Sequence, residues 1–519
     1  MGRARAGTAG IRRAARACLI ACALSLAGSA PALAQQPGRP PERVASGRPL
    51  LGVVPTRDQL HQSSTPGPSG RAVSRDPACS NCRPPLLYQP GPAAVVMGGD
   101  GPDPSPGRVT VTPVFWAPPG YQFAAGYQGL VLRYLHDVAT GVGLGTDVYS
   151  VLGEYYQQLS ATAARQPIRA DISAGAPVYL SAAFPASCSA PYAATTCVSD
   201  AAVRDEMAAA LDARDLPVGL GYLYLVFLPP EVGECASFNA GAPPFCAGQQ
   251  YCAYHRVGAD SRGSYYYGVF AYPQLDSCGT PNSPNGDPHA DATINLVTHE
   301  ILDSITDPTG SAWMDTGGGE ISDECAWVFG PVLGTADPPS SPPGWSSGYD
   351  QVINGDRYDV QEAFSNVAFS GGLSEPGGSP SVAGCLSYEA PAALTGSEPP
   401  AVRVGARVYE PVQVSGMPAP TVQLAAGSLP AGITLNGSGD LVGVARQAGS
   451  FSFTLSASNG LGPAARLRMT LLVRGSSAGR GGYRLFGADG GVFAFGDAGF
   501  FGSVGGERLA APVVGVGAG

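Results

Sequence analysis

The stretch VTHEILDSITDP, Val297 to Pro308, carries the residue types of a metal-assisted hydrolytic site at helical spacing. His299 and Glu300 supply the first half of an H-E-x-x-H pattern, and Asp303 stands where the second histidine would fall. If Ile294 to Thr306 is helical, Ile294, Val297, Ile301 and Ile305 share a buried face, and Asn295, His299, Asp303 and Asp307 form a polar stripe at i+4 steps. His299 and Asp303 are then neighbours, about 6 Å apart at Cβ. One cation can accept an imidazole nitrogen and a carboxylate oxygen from such a pair. Glu300 projects about 100° away, where it would act through an ion-bound water as general base. Asp307-Pro308 ends the helix. The bland alternative is an ordinary amphipathic helix, whose polar face contains His-Glu-x-x-Asp and does no chemistry.

A third ligand has to come from elsewhere. Downstream, GGGEISDEC offers Glu320 and Asp323, either as a ligand or as acceptors that hold His299. Upstream, YCAYH places His255 three residues after Cys252, and PNGDPHAD contributes His289. His255 is a further candidate ligand. Zinc is the ion this donor set suggests.

These residues need a scaffold, and composition bounds what it is. Five arginines, the apolar run CLIACALSLAGSA and Ala32-Leu33-Ala34 read as a signal peptide cleaved after Ala34, with a lipobox at Cys22 as the weaker alternative. No later segment has the roughly 18 uncharged apolar residues of a membrane span. The leader takes five arginines and no acid with it, so the net charge of −10 becomes −15. An acidic chain without a basic cluster is no partner for nucleic acid. Ten cysteines lie between Cys79 and Cys385, an even number that reads as up to five disulfides in an exported chain, with CSNC (Cys79, Cys82) as the alternative zinc pair. No phosphate loop or dinucleotide turn is present.

The expected organisation is multidomain. Residues 35–105 are rich in Pro, Gly, Ser and Arg and read as a linker. Residues 106–389 alternate strand-like runs (VTVTPVFWA, GYLYLVFLPP, SYYYGVFAYP) with helical ones (YQGLVLRYLHDVA, SDAAVRDEMAAALDARDLP), which predicts a mixed α/β, disulfide-bearing domain. SYYYGVFAYP is the strand expected to offer an edge to an extended substrate. A linker at 390–399 leads to 400–474, where short alternating strands and Gly/Asn turns predict a small β-sandwich. The last part, 475–519, is a linker and a Gly/aromatic unit.

Three resemblances attach to these segments. CAYH, PNGDPHADATINLVTHEILDSITDPTGSAWMD, EISDECAW and NGDRYDVQEAFSNVAFSGG, taken in order, resemble the Exordium/phosphate-induced-protein-1 family over about 250–390, and more loosely back to VTPVFWAPPGY. That family usually reads H-E-L-A-E, so Asp303 replaces a glutamate and loses one methylene of reach. The resemblance implies an exported protein and assigns no reaction; a zincin-like architecture follows only by analogy with the H-E motif. LPAGITLN, GDLVGV and GSFSFTLSASNGLG resemble the Ig-like modules of bacterial surface proteins, related to cadherin-like sandwiches. Calcium enters only by that analogy, because Glu398, Glu410 and Asp440 are the only acids near enough to serve. The tail is similar to a repeat found in tandem on secreted actinobacterial proteins.

Two functions stay open at this stage. One is a secreted metalloprotein, a zinc-dependent peptidase or hydrolase, with His299, Asp303 and Glu320 or Asp323 on the metal and Glu300 as base. The other is a non-catalytic extracellular or cell-envelope protein that uses its Ig-like module to bind a cell-wall polymer or an extracellular protein or peptide.

Overall fold

The computed structural model describes residues 51–62, 86–98, 105–141, 146–189, 194–236, 244–336, 343–375, 377–378, 382–436, 439–475 and 482–517. The signal-peptide, lipobox and CSNC expectations lie outside these residues.

A seven-stranded sheet positions the site. Its strands are β1 (Leu51–Pro55), β2 (Arg108–Trp116), β3 (Asp171–Ala174), β4 (Val178–Leu180), β5 (Tyr222–Phe227), β6 (Tyr251–Ala259) and β7 (Ser264–Phe270). They run in the order β1-β6-β7-β5-β2-β3, with β4 also on β2. β7, β5, β2, β3 and β4 are parallel, whereas β6 is antiparallel to β7 and β1 is antiparallel to β6. The central strands are buried on both faces, so they read as continuous apolar runs and not as alternation. Pro113, which cannot donate to a ladder, falls where the outer neighbour of β2 changes from β3 to β4.

Two placements differ from the sequence expectation. SYYYGVFAYP lies inside the sheet as β7, paired on both sides, and the edge on that side belongs to β1. The proposed linker 35–105 contributes β1, and it also contributes Val54, Val96 and Met97, none of them exposed, to the main core. Its Pro/Gly composition hid these short apolar pieces, which are stable only when paired or packed.

Three helices pack on the sheet: α1 (Tyr127–Gly141), α2 (Asp200–Ala213) and α3 (Pro288–Thr306). Ser199 caps α2 through the amide of Ala202. α3 starts with Asp287 as N-cap and Pro288 in its first turn, a position where the missing N–H costs nothing. α1 lies against α3 through Tyr127 to Thr293 (2.7 Å) and Tyr134 to Thr298 (2.5 Å). Every residue of α3 except His289 is buried.

Four disulfides lie among the described residues: Cys188–Cys197, Cys235–Cys246, Cys252–Cys278 and Cys325–Cys385. Further along, strands Val402–Arg403, Ala465–Arg474, Gly449–Ser458 and Thr421–Gly427 form one sheet. Arg407–Glu410, Leu441–Val444 and Ile433–Leu435 form a second. Their shared core is Val408, Ile433, Leu441, Phe453, Leu455 and Leu471. Ala390–Thr395 pairs with Gln413–Met417, so the stretch expected as a linker supplies a strand to this module. Residues 482–517 hold one hairpin, Tyr483–Phe486 with Val492–Phe495.

Candidate metal centre

An ordinary amphipathic helix would turn the stripe Asn295, His299, Asp303 and Asp307 to water. Here all four residues are completely buried. Burial of polar groups is tolerated only where partners replace water, and two segments supply them. Gln361 donates its backbone N–H to Asn295 Oδ1 at 2.8 Å, and its side-chain amide meets His299 Nδ1 at 2.9 Å and Ser322 O at 2.9 Å. Ser322 N–H donates to Asp303 Oδ1 at 2.7 Å, and the amides of Ser311 and Ala312 donate to Asp307 Oδ1. The loop after α3 therefore folds back over the helix, and Cys325–Cys385 pins its far end.

The stripe meets a third carboxylate there. His299 Nε2 lies 3.0 Å from Asp303 Oδ2 and 3.2 Å from Asp323 Oδ1. Ligand atoms of these three residues all fall within 4.8 Å of one another. Two donors at about 2.1 Å from one ion are roughly 3.0 Å apart in octahedral and 3.4 Å apart in tetrahedral geometry. The observed separations suit a divalent cation of either geometry. One imidazole and two carboxylates are a donor set for zinc or for a harder transition ion.

The remaining predicted residues form a second layer. His255 Nδ1 faces Glu300 Oε2 at 3.2 Å, and its Nε2 lies 3.3 Å from the Asp307 carbonyl and 3.8 Å from Glu320 Oε2. Thus Asp323 stands at His299, whereas Glu320 and His255 stand with Glu300. His289 is apart, stacked on Tyr272 with its Nδ1 3.1 Å from the Pro273 carbonyl. A second close donor group, Cys188, Cys197 and Cys235, is spent in disulfides and offers no thiolate.

Burial disfavours the charged form of the acids gathered here. Burial pushes the Glu300 and Glu320 carboxyls well above the usual range, and neighbouring carboxylates push them further. Burial also raises Asp303, against the pull of His299, and lifts Asp307 to about 6. Burial holds His255 down to about 4. It opposes charge on His299 as well, but Asp303 and Asp323 outweigh it and hold that imidazolium well above its ordinary value. Without a cation, a proton on His299 Nε2 occupies the space between the two carboxylates. Glu300 Oε1, Asp307 Oδ2 and Glu320 Oε2 are buried with no hydrogen-bond partner. Such orphaned oxygens are costly unless a proton or an ion serves them.

Gln361 is the functional residue that motif reading missed. It lies far from α3 in sequence and in no periodic pattern; the segment that holds it, NGDRYDVQEAF, entered only through a family resemblance that gave the glutamine no role. Its Oε1 is buried and unpartnered, and rotating the amide by 180° would let Oε1 accept Nδ1–H and leave His299 Nε2 to an ion, at the loss of the bond to the Ser322 carbonyl. Gln361→Leu is expected to weaken any divalent-metal binding at this site by about 10–100-fold, read by competition against a chromophoric chelator.

β1 roofs this layer. Gly52 has φ +48°, and a Cβ there would sit 2.3 Å from His255 Nδ1 and 3.1 Å from Glu300 Oε2. Only glycine allows the backbone so close. Asp323, with 17% of its side chain exposed, is the member of the centre that reaches solvent.

In the second module, Glu398 accepts from the Thr470 amide, and Asp440 is engaged by Asn436 and by the Val412 amide. No described helix is long and apolar enough to cross a membrane.

No curated protein matches the chain. Solved structures with similarity include Dpr2 Ig1-Ig2 in complex with DIP-Theta Ig1-Ig3, at 21% identity and TM-score 0.14 over 18% of this chain and 35% of that one. The insect immune protein hemolin gives 24% identity and TM-score 0.14 over 18% and 25%. The protocadherin GammaB4 extracellular domain gives 17% identity and TM-score 0.15 over 46% and 41%. The chain therefore spans less than half the length of each. The family described as "Putative Ig domain" matches residues 390–474. The chain is a multidomain, mostly β, disulfide-bonded protein that carries an Ig-like module at 390–474.

Proposed function

We propose that this is an exported, non-catalytic binding protein whose α/β domain, 106–389, is built round a buried divalent-cation centre, with zinc on His299, Asp303 and Asp323. The convergence of those three donors in a pocket with further unpartnered carboxylate oxygens carries the reading. An antiparallel edge strand over a His-Glu helix supports the Exordium-like and zincin-like assignment of this domain. Disulfides support an extracellular location, and the Ig-like module is the second, partner-binding unit.

Hydrolysis is the less favoured role for the covered chain. Glu300 is engaged by His255, and β1 lies across both. A catalytic ion needs an open position for water and substrate.

The test is elemental analysis of purified protein. About one equivalent of divalent metal per chain is expected, falling to background in His299→Ala. Wild-type protein that neither carries nor takes up zinc, manganese or calcium would end the reading.

A further inference from the structure

We infer that the outer face of the larger sheet of the Ig-like module, lined by Arg403, Arg466, Arg468 and Arg474, binds a linear polyanion, a polymer that repeats phosphate or carboxylate groups. The inference deepens the reading above by naming the partner class of the second unit, and it rests on that reading only for the module's role in binding.

Charge is divided between the two parts of the chain. Residues 106–389 hold 29 acids against 9 arginines, a net charge of −20, whereas 390–474 hold 3 acids against 6 arginines, a net charge of +3. All six arginines of the module are exposed. Every arginine ion pair among the described residues involves Arg108, Arg133, Arg204, Arg256 or Arg262, all in the α/β part, so none neutralises the module.

The pleat gathers four of these arginines on one face, although they are scattered in sequence. Along Ala465–Arg474 the side chains of Met469, Leu471 and Val473 enter the core, so Arg466, Arg468, Thr470, Leu472 and Arg474 point outward. Arg403 is the register partner of Arg474 in the parallel neighbour and shares its face. Across the antiparallel ladder, Ser456, Thr454 and Ser452 stand opposite Arg466, Arg468 and Thr470. Outward positions follow one another about 7 Å apart, so the row from Arg466 to Arg474 is about 27 Å long. Like charges set directly opposite, as at Arg403 and Arg474, destabilise a sheet, and an anion laid across them relieves the repulsion. The acid that touches this row, Glu398, sits at the strand's edge on the Thr470 amide. Glu410 and Asp440 lie with the other sheet.

The same face is a poor seat for a folded protein. Protein interfaces are anchored by buried apolar and aromatic side chains, and Leu472 is the one exposed large apolar side chain on this row. Forked guanidinium donors with hydroxyls between them suit a file of anions, each held by charge-assisted hydrogen bonds.

The experiment uses the full-length chain with inorganic polyphosphate and polygalacturonate as probes and neutral dextran as the blank, read by titration calorimetry at several salt concentrations. Arg466→Gln with Arg468→Gln is expected to weaken binding at least tenfold and to lower the slope of log K against log salt by about 1–2. Arg407→Gln with Arg446→Gln removes the same charge from the other sheet's side, and is expected to change affinity less than threefold. The polymer held more tightly tells whether phosphate or carboxylate is the group read. No binding of either polymer by wild type, or equal losses in the two double variants, overturns the inference. Capture of polyglutamate with neither polymer held would make the partner an acidic protein and overturn it too. Polyanion capture by wild type that carries no metal would keep this surface and remove the metal centre. Metal loading without capture would do the reverse.

Discussion

Chelation of divalent metal at about pH 8 is expected to lower the melting temperature of the α/β part by roughly 7 °C, and by far less at about pH 5. A cation held at about a thousand times its Kd stabilises the native state by about 4 kcal/mol. In a domain of the size of 106–389 each kcal/mol moves the midpoint by roughly 1.7 °C. The pH dependence follows from protons standing in for the ion. In the cation-free fold, Glu300, Glu320 and Asp303 are raised by burial, and Asp307 is raised to about 6. In the unfolded chain the same groups ionise near 4.

The sign is therefore fixed. Below about 4 both states are protonated and the stability of the cation-free fold is fully present. As pH rises the unfolded chain ionises first, the native state holds more protons, and stability drains away until the native carboxyls ionise too. His299, raised well above its ordinary value, works in the same direction. His255, held down to about 4 by burial, works the other way, costing stability as pH falls below about 6.5. Five groups oppose one, so the metal-free protein is expected to be most stable in mild acid, with a bound ion restoring it at higher pH. Calorimetry from about pH 5 to 8, with and without chelator, reads this directly. A chelator shift equal at every pH would show that the buried carboxyls are not linked to the ion.

Part of this site was legible in the residues themselves. The i+4 stripe places His299 beside Asp303 through helix geometry alone, and the isoleucine face explains why Ile294 to Thr306 is one helix. The Ig-like module announces itself by period-two strands with Gly and Asn turns, a local signal. What stayed hidden depends on chain reversal. Glu320 and Asp323 are three residues apart in a turn, and which one meets His299 is decided by the Ser322 N–H bond to Asp303. Gln361 reaches the site only after the chain has doubled back. β1, LGVVP, is only five residues long and interrupted by Gly52 and Pro55, and it pairs along β6.

Replacing Cys325 and Cys385 together by alanine is expected to destabilise the α/β part by about 4 kcal/mol, and to weaken metal binding as well. The stability loss follows from chain entropy: the bond closes a loop of 60 residues, and freeing such a loop in the unfolded state costs about 4 kcal/mol in the polymer estimate. The metal effect has a separate origin. Cys325 ends the short turn Asp323–Cys325, so the disulfide anchors the segment that carries Asp323 to His299. Gln361 lies between the two half-cystines, so the same loop holds the amide that orients the imidazole. With the clasp gone, both groups must be ordered by the ion itself, and that ordering is subtracted from the binding energy. Cys188–Cys197 closes a loop of only nine residues away from the centre, so its removal is the matched control. That pair should cost less stability and leave zinc affinity unchanged. Equal loss of zinc affinity in both variants would mean that the disulfides act on the fold as a whole, and that the Asp323 turn needs no anchor.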